Sequence, residues 1–133
     1  GVELGLETDL RGLEYSKLLR CLDHPYARAY YDTGNAAALG YDIAQDVSLL
    51  IPWLAAVHIK DRKLEGGSVP LGQGDADFKK FFQVLAEVGY TGPFILQTAF
   101  GVDFEYYALF HLEFVRKLLE PFRRDGTGFE QSL

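Results

Sequence analysis

The chain has 133 residues, 48% apolar and 24% charged, with a formal net charge of −6; that is enough sequence for one soluble domain with its own core. An acidic balance disfavours nonspecific nucleic-acid binding, which rewards clustered Lys and Arg. No apolar run approaches the roughly 18 residues of a membrane span, and nothing reads as a signal peptide, so a soluble cytoplasmic protein is expected. The single cysteine, Cys21, excludes an internal disulfide and is expected to be a small buried apolar residue.

In chain order, four short apolar segments suit strands: Val2–Thr8, Ala27–Asp32, Ala55–Asp61 and Gly92–Thr98. Each ends in polar residues and each is followed by a helical pattern. The first helix carries Tyr15, Leu18, Leu19 and Leu22 at i, i+3, i+4, i+7. Asp42 with Gln45 resembles a capping box ahead of Ile43, Val47, Leu50, Ile51 and Leu54. Asp75 or Asp77 is expected to cap a third helix bearing Phe78, Phe81, Phe82 and Leu85, with Gly89 as its stop. The last helix, about Phe104 to Phe122, presents Tyr107, Phe110, Phe114, Leu118 and Leu119 as a stripe, and residues 123–133 read as a polar tail. The order βαβαβαβα predicts parallel strands joined by right-handed crossovers. The domain is expected to span residues 1–122, either as a small open α/β sheet or as half of an eight-stranded barrel.

Four polar residues stand at the C-terminal strand ends: Glu7, Asp32, His58 and Gln97. In a parallel α/β arrangement all four tips emerge on one rim, where such folds place their sites. Two carboxylates, an imidazole and an amide oxygen form a ligand set for a hard or borderline divalent ion. Mixed O/N ligation with open positions favours Mn²⁺, with Mg²⁺, Co²⁺ or Zn²⁺ also compatible. Each residue also has an ordinary structural use, since a strand-end Asp or Glu often only caps the following helix. Gly72 and Gly74, in a loop leading to a helix N-terminus, could cradle a phosphate through backbone N–H groups. Lys60 and Arg62 flank His58 and could meet an anionic substrate. Asn35 is expected to shape the loop after Asp32. His24 and His111 are expected in a loop and on a helix surface or interface respectively.

The strings Y-Y-D-T-G-N (30–35), V-H-I-K-D (57–61), P-L-G-Q-G-D-A-D-F (70–78), G-Y-T-G-P-F-I-L-Q-T (89–98) and L-G-L-E-T (4–8) together resemble strands five to eight of the xylose-isomerase-like sugar-phosphate isomerase/epimerase family. The resemblance implies half of a TIM (β/α)₈ barrel with a divalent metal on Glu7, Asp32, His58 and the residue at 97. It also implies proton transfer by Glu7 next to a ketose carbonyl through an enediolate. Position 97 is Gln where the family's proton-transferring epimerases carry Glu, and an amide cannot serve as a base near neutral pH. A complete barrel needs about 250 residues, so completion by a homodimer or by a separate N-terminal half-barrel is expected. The competing reading is a non-catalytic, self-associating half-barrel, or one fragment of a split isomerase. A DNA-acting metal endonuclease of the same superfamily is disfavoured by the acidic balance.

Overall fold

The computed structural model describes residues 1–99 and 101–122; the expected tail at 123–133 lies outside them. Four strands form one parallel sheet: β1 (Leu4–Leu6), β2 (Ala27–Asp32), β3 (Leu54–Ile59) and β6 (Phe94–Leu96), in the order β1-β2-β3-β6. The connecting helices are α1 (Gly12–Leu22), α2 (Thr33–Ala38), α3 (Ile43–Leu50), α4 (Phe78–Glu87) and α5 (Phe104–Leu119). Between β3 and α4 lies a two-strand hairpin, β4 (Asp61–Arg62) and β5 (Ser68–Val69), paired antiparallel. Among the described residues no helix is long and apolar enough to cross a membrane.

Side-chain alternation sorts the sheet into two faces. Ala29, Tyr31, Val57 and Ile59 are buried against the helices, in one core with Tyr15, Leu19, Val47, Leu50, Phe81, Phe82 and Leu85. Tyr30 and His58 point to the opposite face and remain partly exposed. Two expected caps are observed. Asp42 accepts from the Ala44 and Gln45 N–H groups, and Asp77 accepts from the Lys80 N–H. Gly89, with φ +65°, follows the end of α4, in the left-handed region that glycine enters without a Cβ penalty.

The structure departs from the sequence reading in several places. The helix starting at Asp42 ends at Leu50, and Pro52 sits in a single 3₁₀ turn (Ile51–Trp53), so Leu54 opens β3 instead of extending the helical stripe. The segment after Asp32 is the short helix α2, so Asn35 is helical instead of a loop residue. Cys21 is exposed, because α1 buries only the face holding Gly12, Tyr15, Ser16 and Leu19. On α5 the buried residues are His111, Val115 and Leu119, and Phe110 is 38% exposed. Of the expected stripe, Leu119 is buried and Phe114 and Leu118 pack partly buried against the core, whereas His111, expected on the surface or at an interface, is enclosed, with Nε2 3.1 Å from the Ala99 carbonyl.

Asp61 organises the loop that follows. It is 1% exposed, and its carboxylate accepts three backbone N–H groups: Gly72 at 2.9 Å, Gly74 at 2.8 Å and Ala76 at 3.2 Å. A carboxylate taken out of water needs this satisfaction. Gly74 makes room for it, since a Cβ there would overlap the Asp61 side chain. Asp61→Ala strands all three donors, so it should destabilise the fold by about 2–4 kcal/mol, read as a lower urea midpoint with unchanged slope.

Candidate metal centre

Strand register brings the site together. Asp32 and His58 are lateral partners in the β2–β3 ladder, and Thr33 locks that alignment. The buried Thr33 hydroxyl accepts from the Lys60 N–H at 3.0 Å and lies 2.8 Å from the Lys60 carbonyl and 3.1 Å from the His58 carbonyl. Tyr30 packs edge-on to the His58 ring, with centroids 4.6 Å apart at 89°, which fixes the imidazole plane. On the β1 side the Tyr15 hydroxyl donates to the Leu6 carbonyl and accepts from the Tyr30 N–H. It stands between the strands where their pairing stops, and Glu7 follows directly. Burial raises the Tyr15 phenol above its ordinary pKa, and the Glu7 charge adds to that.

Glu7, Asp32 and His58 converge: one ligand atom from each lies within 4.8 Å of the other two. His58 Nδ1 is 3.4 Å from Glu7 Oε2 and 3.8 Å from Asp32 Oδ2. Atoms bound to one divalent ion at about 2.1 Å stand about 3 Å apart in an octahedral shell, so small side-chain shifts would close the triad on a cation. Asp32 divides its duties. Oδ1 accepts the Asn35 N–H at 2.7 Å and caps α2, whereas Oδ2 is buried with no hydrogen-bond partner. His58 Nδ1 is likewise buried and without a hydrogen-bond partner. Two buried polar atoms without a hydrogen-bond partner, set beside a second carboxylate, are costly unless something satisfies them, and their chemistry fits a borderline divalent ion.

The other expected site residues lie as follows. Gln97 is exposed, and its Oε1 accepts from Lys60 Nζ at 3.1 Å. Lys60 Nζ is also 3.6 Å from Asp32 Oδ2, so the ammonium stands between the acid and the amide. Arg62 does not present a free guanidinium: Nε and Nη2 donate to the Gly66 carbonyl at 3.0 and 2.7 Å, and Nη1 donates to Asn35 Oδ1 at 3.1 Å. The Gly72 and Gly74 N–H groups, expected to face a phosphate, are taken by Asp61. Sequence reasoning passed over Asp61 as part of a strand end. The signal was present in an acidic residue fourteen positions before the Asp75–Ala76–Asp77 run, but its use of loop amides is legible only in three dimensions.

Residues 1–118 match the sequence family of the xylose isomerase-like TIM barrel. The chain belongs to that family. Its curated relatives include an L-ribulose-5-phosphate 3-epimerase UlaE of Escherichia coli, 35% identical over 79 residues, covering 57% of this chain and 27% of that protein. Among solved structures, a xylose isomerase domain protein from Planctomyces limnophilus superposes with a TM-score of 0.77 at 21% identity, covering 90% of this chain and 48% of that one. A D-allulose 3-epimerase from Methylomonas sp. gives 0.75 at 24% identity, covering 90% and 49%. The chain thus spans about a quarter of the curated relative's length, by the 27% above, and about half of the solved ones. Its four parallel strands are a partial xylose isomerase-like barrel.

Asp32 offers a test that separates its two oxygens. Asp32→Asn keeps an acceptor for the Asn35 N–H, whereas Asp32→Ala removes the cap, which is worth about 1 kcal/mol. In EDTA the Ala variant should melt below the Asn variant. Both should lose any Mn²⁺-induced rise in melting temperature, read by differential scanning fluorimetry.

Proposed function

We propose that this chain carries the metal-binding half of a sugar or sugar-phosphate isomerase/epimerase, acting by proton transfer at the carbon beside a ketose carbonyl. The observation that carries the reading is the convergence of Glu7, Asp32 and His58, with two of their polar atoms buried and unsatisfied. The UlaE relative, a 3-epimerase of L-ribulose 5-phosphate, supports that substrate class.

In this reading Glu7, Asp32 and His58 would hold a divalent ion, with Mn²⁺ favoured by the mixed O/N set and Mg²⁺, Co²⁺ or Zn²⁺ compatible. When bound, such an ion polarises the ketose carbonyl and its neighbouring hydroxyl, acidifying the C–H between them. The protein's own residues do the rest. Glu7, whose side chain is 36% exposed, is the carboxylate with access to both the site and substrate, and it takes the proton from carbon. Lys60, with its side chain 18% exposed, offers a fixed positive charge to a hydroxyl or phosphate oxygen. Gln97 positions Lys60 and can accept from a substrate hydroxyl, but it holds no proton to exchange. Proton removal and return therefore fall to Glu7 alone, which suits isomerisation better than inversion from opposite faces. Arg62 and the Gly72–Gly74 loop, both expected as substrate contacts, would have to give up internal partners to serve.

A second reading is favoured by the surface. The outer edges of β1 and β6 have no strand neighbour among the described residues. Along α5, Phe104, Tyr106 and Leu109 are 64%, 60% and 62% exposed. Exposed edges and apolar faces of this kind ask for a cover. A second copy of the chain, or another polypeptide supplying the remaining strands, fits that requirement, and in the extreme the isolated chain is a scaffold without turnover.

The test is proton exchange in D₂O with Mn²⁺ and L-ribulose 5-phosphate, followed by NMR, alongside light scattering of the same sample. Deuterium should enter at the carbon beside the carbonyl, and Glu7→Gln should slow this about 10²–10⁴-fold. Gln97→Glu should raise epimerisation relative to simple exchange. Exchange unaffected by Glu7→Gln would defeat the assignment. A metal-loaded, self-associated chain with no exchange would establish the scaffold reading.

A further inference from the structure

The two carboxylates of the triad share one neighbour. Asn35 donates its backbone N–H to Asp32 Oδ1 at 2.7 Å and its side-chain Nδ2 to Glu7 Oε1 at 3.2 Å. The oxygens left over, Asp32 Oδ2 and Glu7 Oε2, are the two that face His58 Nδ1. One residue therefore selects, in both acids, which oxygen is engaged in hydrogen bonding and which is offered to the centre.

The amide can do this only in one orientation. An Asn side chain presents an acceptor on one side and a donor on the other. Flipped, it would set its oxygen against the Glu7 carboxylate. Arg62 prevents the flip: a guanidinium only donates, and its Nη1 reaches Asn35 Oδ1 at 3.1 Å. Arg62 is itself held by two hydrogen bonds to the Gly66 carbonyl at the hairpin. We infer that Asn35 is a positioning residue for the metal centre, that Arg62 is the clamp fixing its amide, and that Arg62 acts on the centre through Asn35 and not as a substrate contact. This rests on the metal-centre reading of Glu7, Asp32 and His58. Outer hydrogen bonds of this kind commonly change metal affinity 10–100-fold.

The measurement is Mn²⁺ affinity by titration calorimetry, with free Mn²⁺ checked by EPR, in wild type, Asn35→Ala, Arg62→Met and the double variant. Asn35 sits in the Ala-rich helix α2, where Ala is the strongest helix former, so its metal-free melting temperature should hold. Asn35→Ala should weaken Mn²⁺ binding about 10–100-fold. Arg62→Met should weaken it in wild type but add little when position 35 is Ala, because its route to the centre is already cut. Asn35→Asp supplies an independent check. It keeps the Arg62 contact and adds negative charge near the cation, which by Coulomb attraction alone would tighten binding; losing the donor to Glu7 should weaken it instead. Unchanged affinity in Asn35→Ala, additive losses in the double variant, or tighter binding in Asn35→Asp would each overturn the inference. A wild-type chain that binds no Mn²⁺ would instead overturn the metal-centre reading beneath it.

Discussion

The lateral pairing of Asp32 with His58 across β2 and β3 is the constraint on which the rest of this rim depends. A strand shifted by one residue turns every side chain to the opposite face. A slip between these two strands would therefore bury the imidazole among the helices or the carboxylate away from it. The core enforces the register from below, through Ala29, Tyr31, Val57 and Ile59 packed against the helix layer. Thr33 enforces it from above, by tying the start of α2 to the backbone of His58 and Lys60. The centre is thus a product of core packing at one end of the strands and of one hydroxyl at the other.

Much of the fold could be read in the residues because its determinants are local and periodic. Short apolar runs alternating with 3.6-residue patterns give parallel strands and crossovers, and Asp42, Asp77 and Gly89 mark boundaries by cap chemistry alone. The elements that escaped are those whose stability is tertiary. The six residues of α2 are too few to declare a helix by periodicity, and they exist because Asp32 caps them and the sheet buries Ala36. The hairpin of two residues per strand exists because Arg62 and Asp61 tether the segment around it. On α5 the sequence offers apolar residues on several sides, and only tertiary packing decides that His111, Val115 and Leu119 face inward.

The site was legible in part for the same reason. Strand-end polar residues on one rim follow from topology, and Glu7, Asp32 and His58 do meet. What sequence could not distinguish was a group facing the site from a group spent on the scaffold. Arg62, Gly72 and Gly74 carry chemistry suited to an anion, yet each is committed internally, to Asn35 and Gly66 or to Asp61. Asn35 has the reverse history: an apparent turn residue whose amide touches the centre. Polar groups near such a rim are partitioned by where the folded chain points them, and residue type does not encode that.

The divided carboxylate of Asp32 bears on how such a chain drifts over generations. One of its oxygens starts a helix, and the residue is 4% exposed, so an acid or amide is wanted there whether or not any sugar is ever turned over. Its persistence among descendants would therefore report folding as well as the centre, and is no proof of catalysis by itself. Glu7 starts no helix and belongs to no strand, so selection holds it chiefly through what the centre does. In a lineage that abandoned the chemistry, position 7 would wander first and position 32 would stay, leaving a record of lost activity in the difference between two acids.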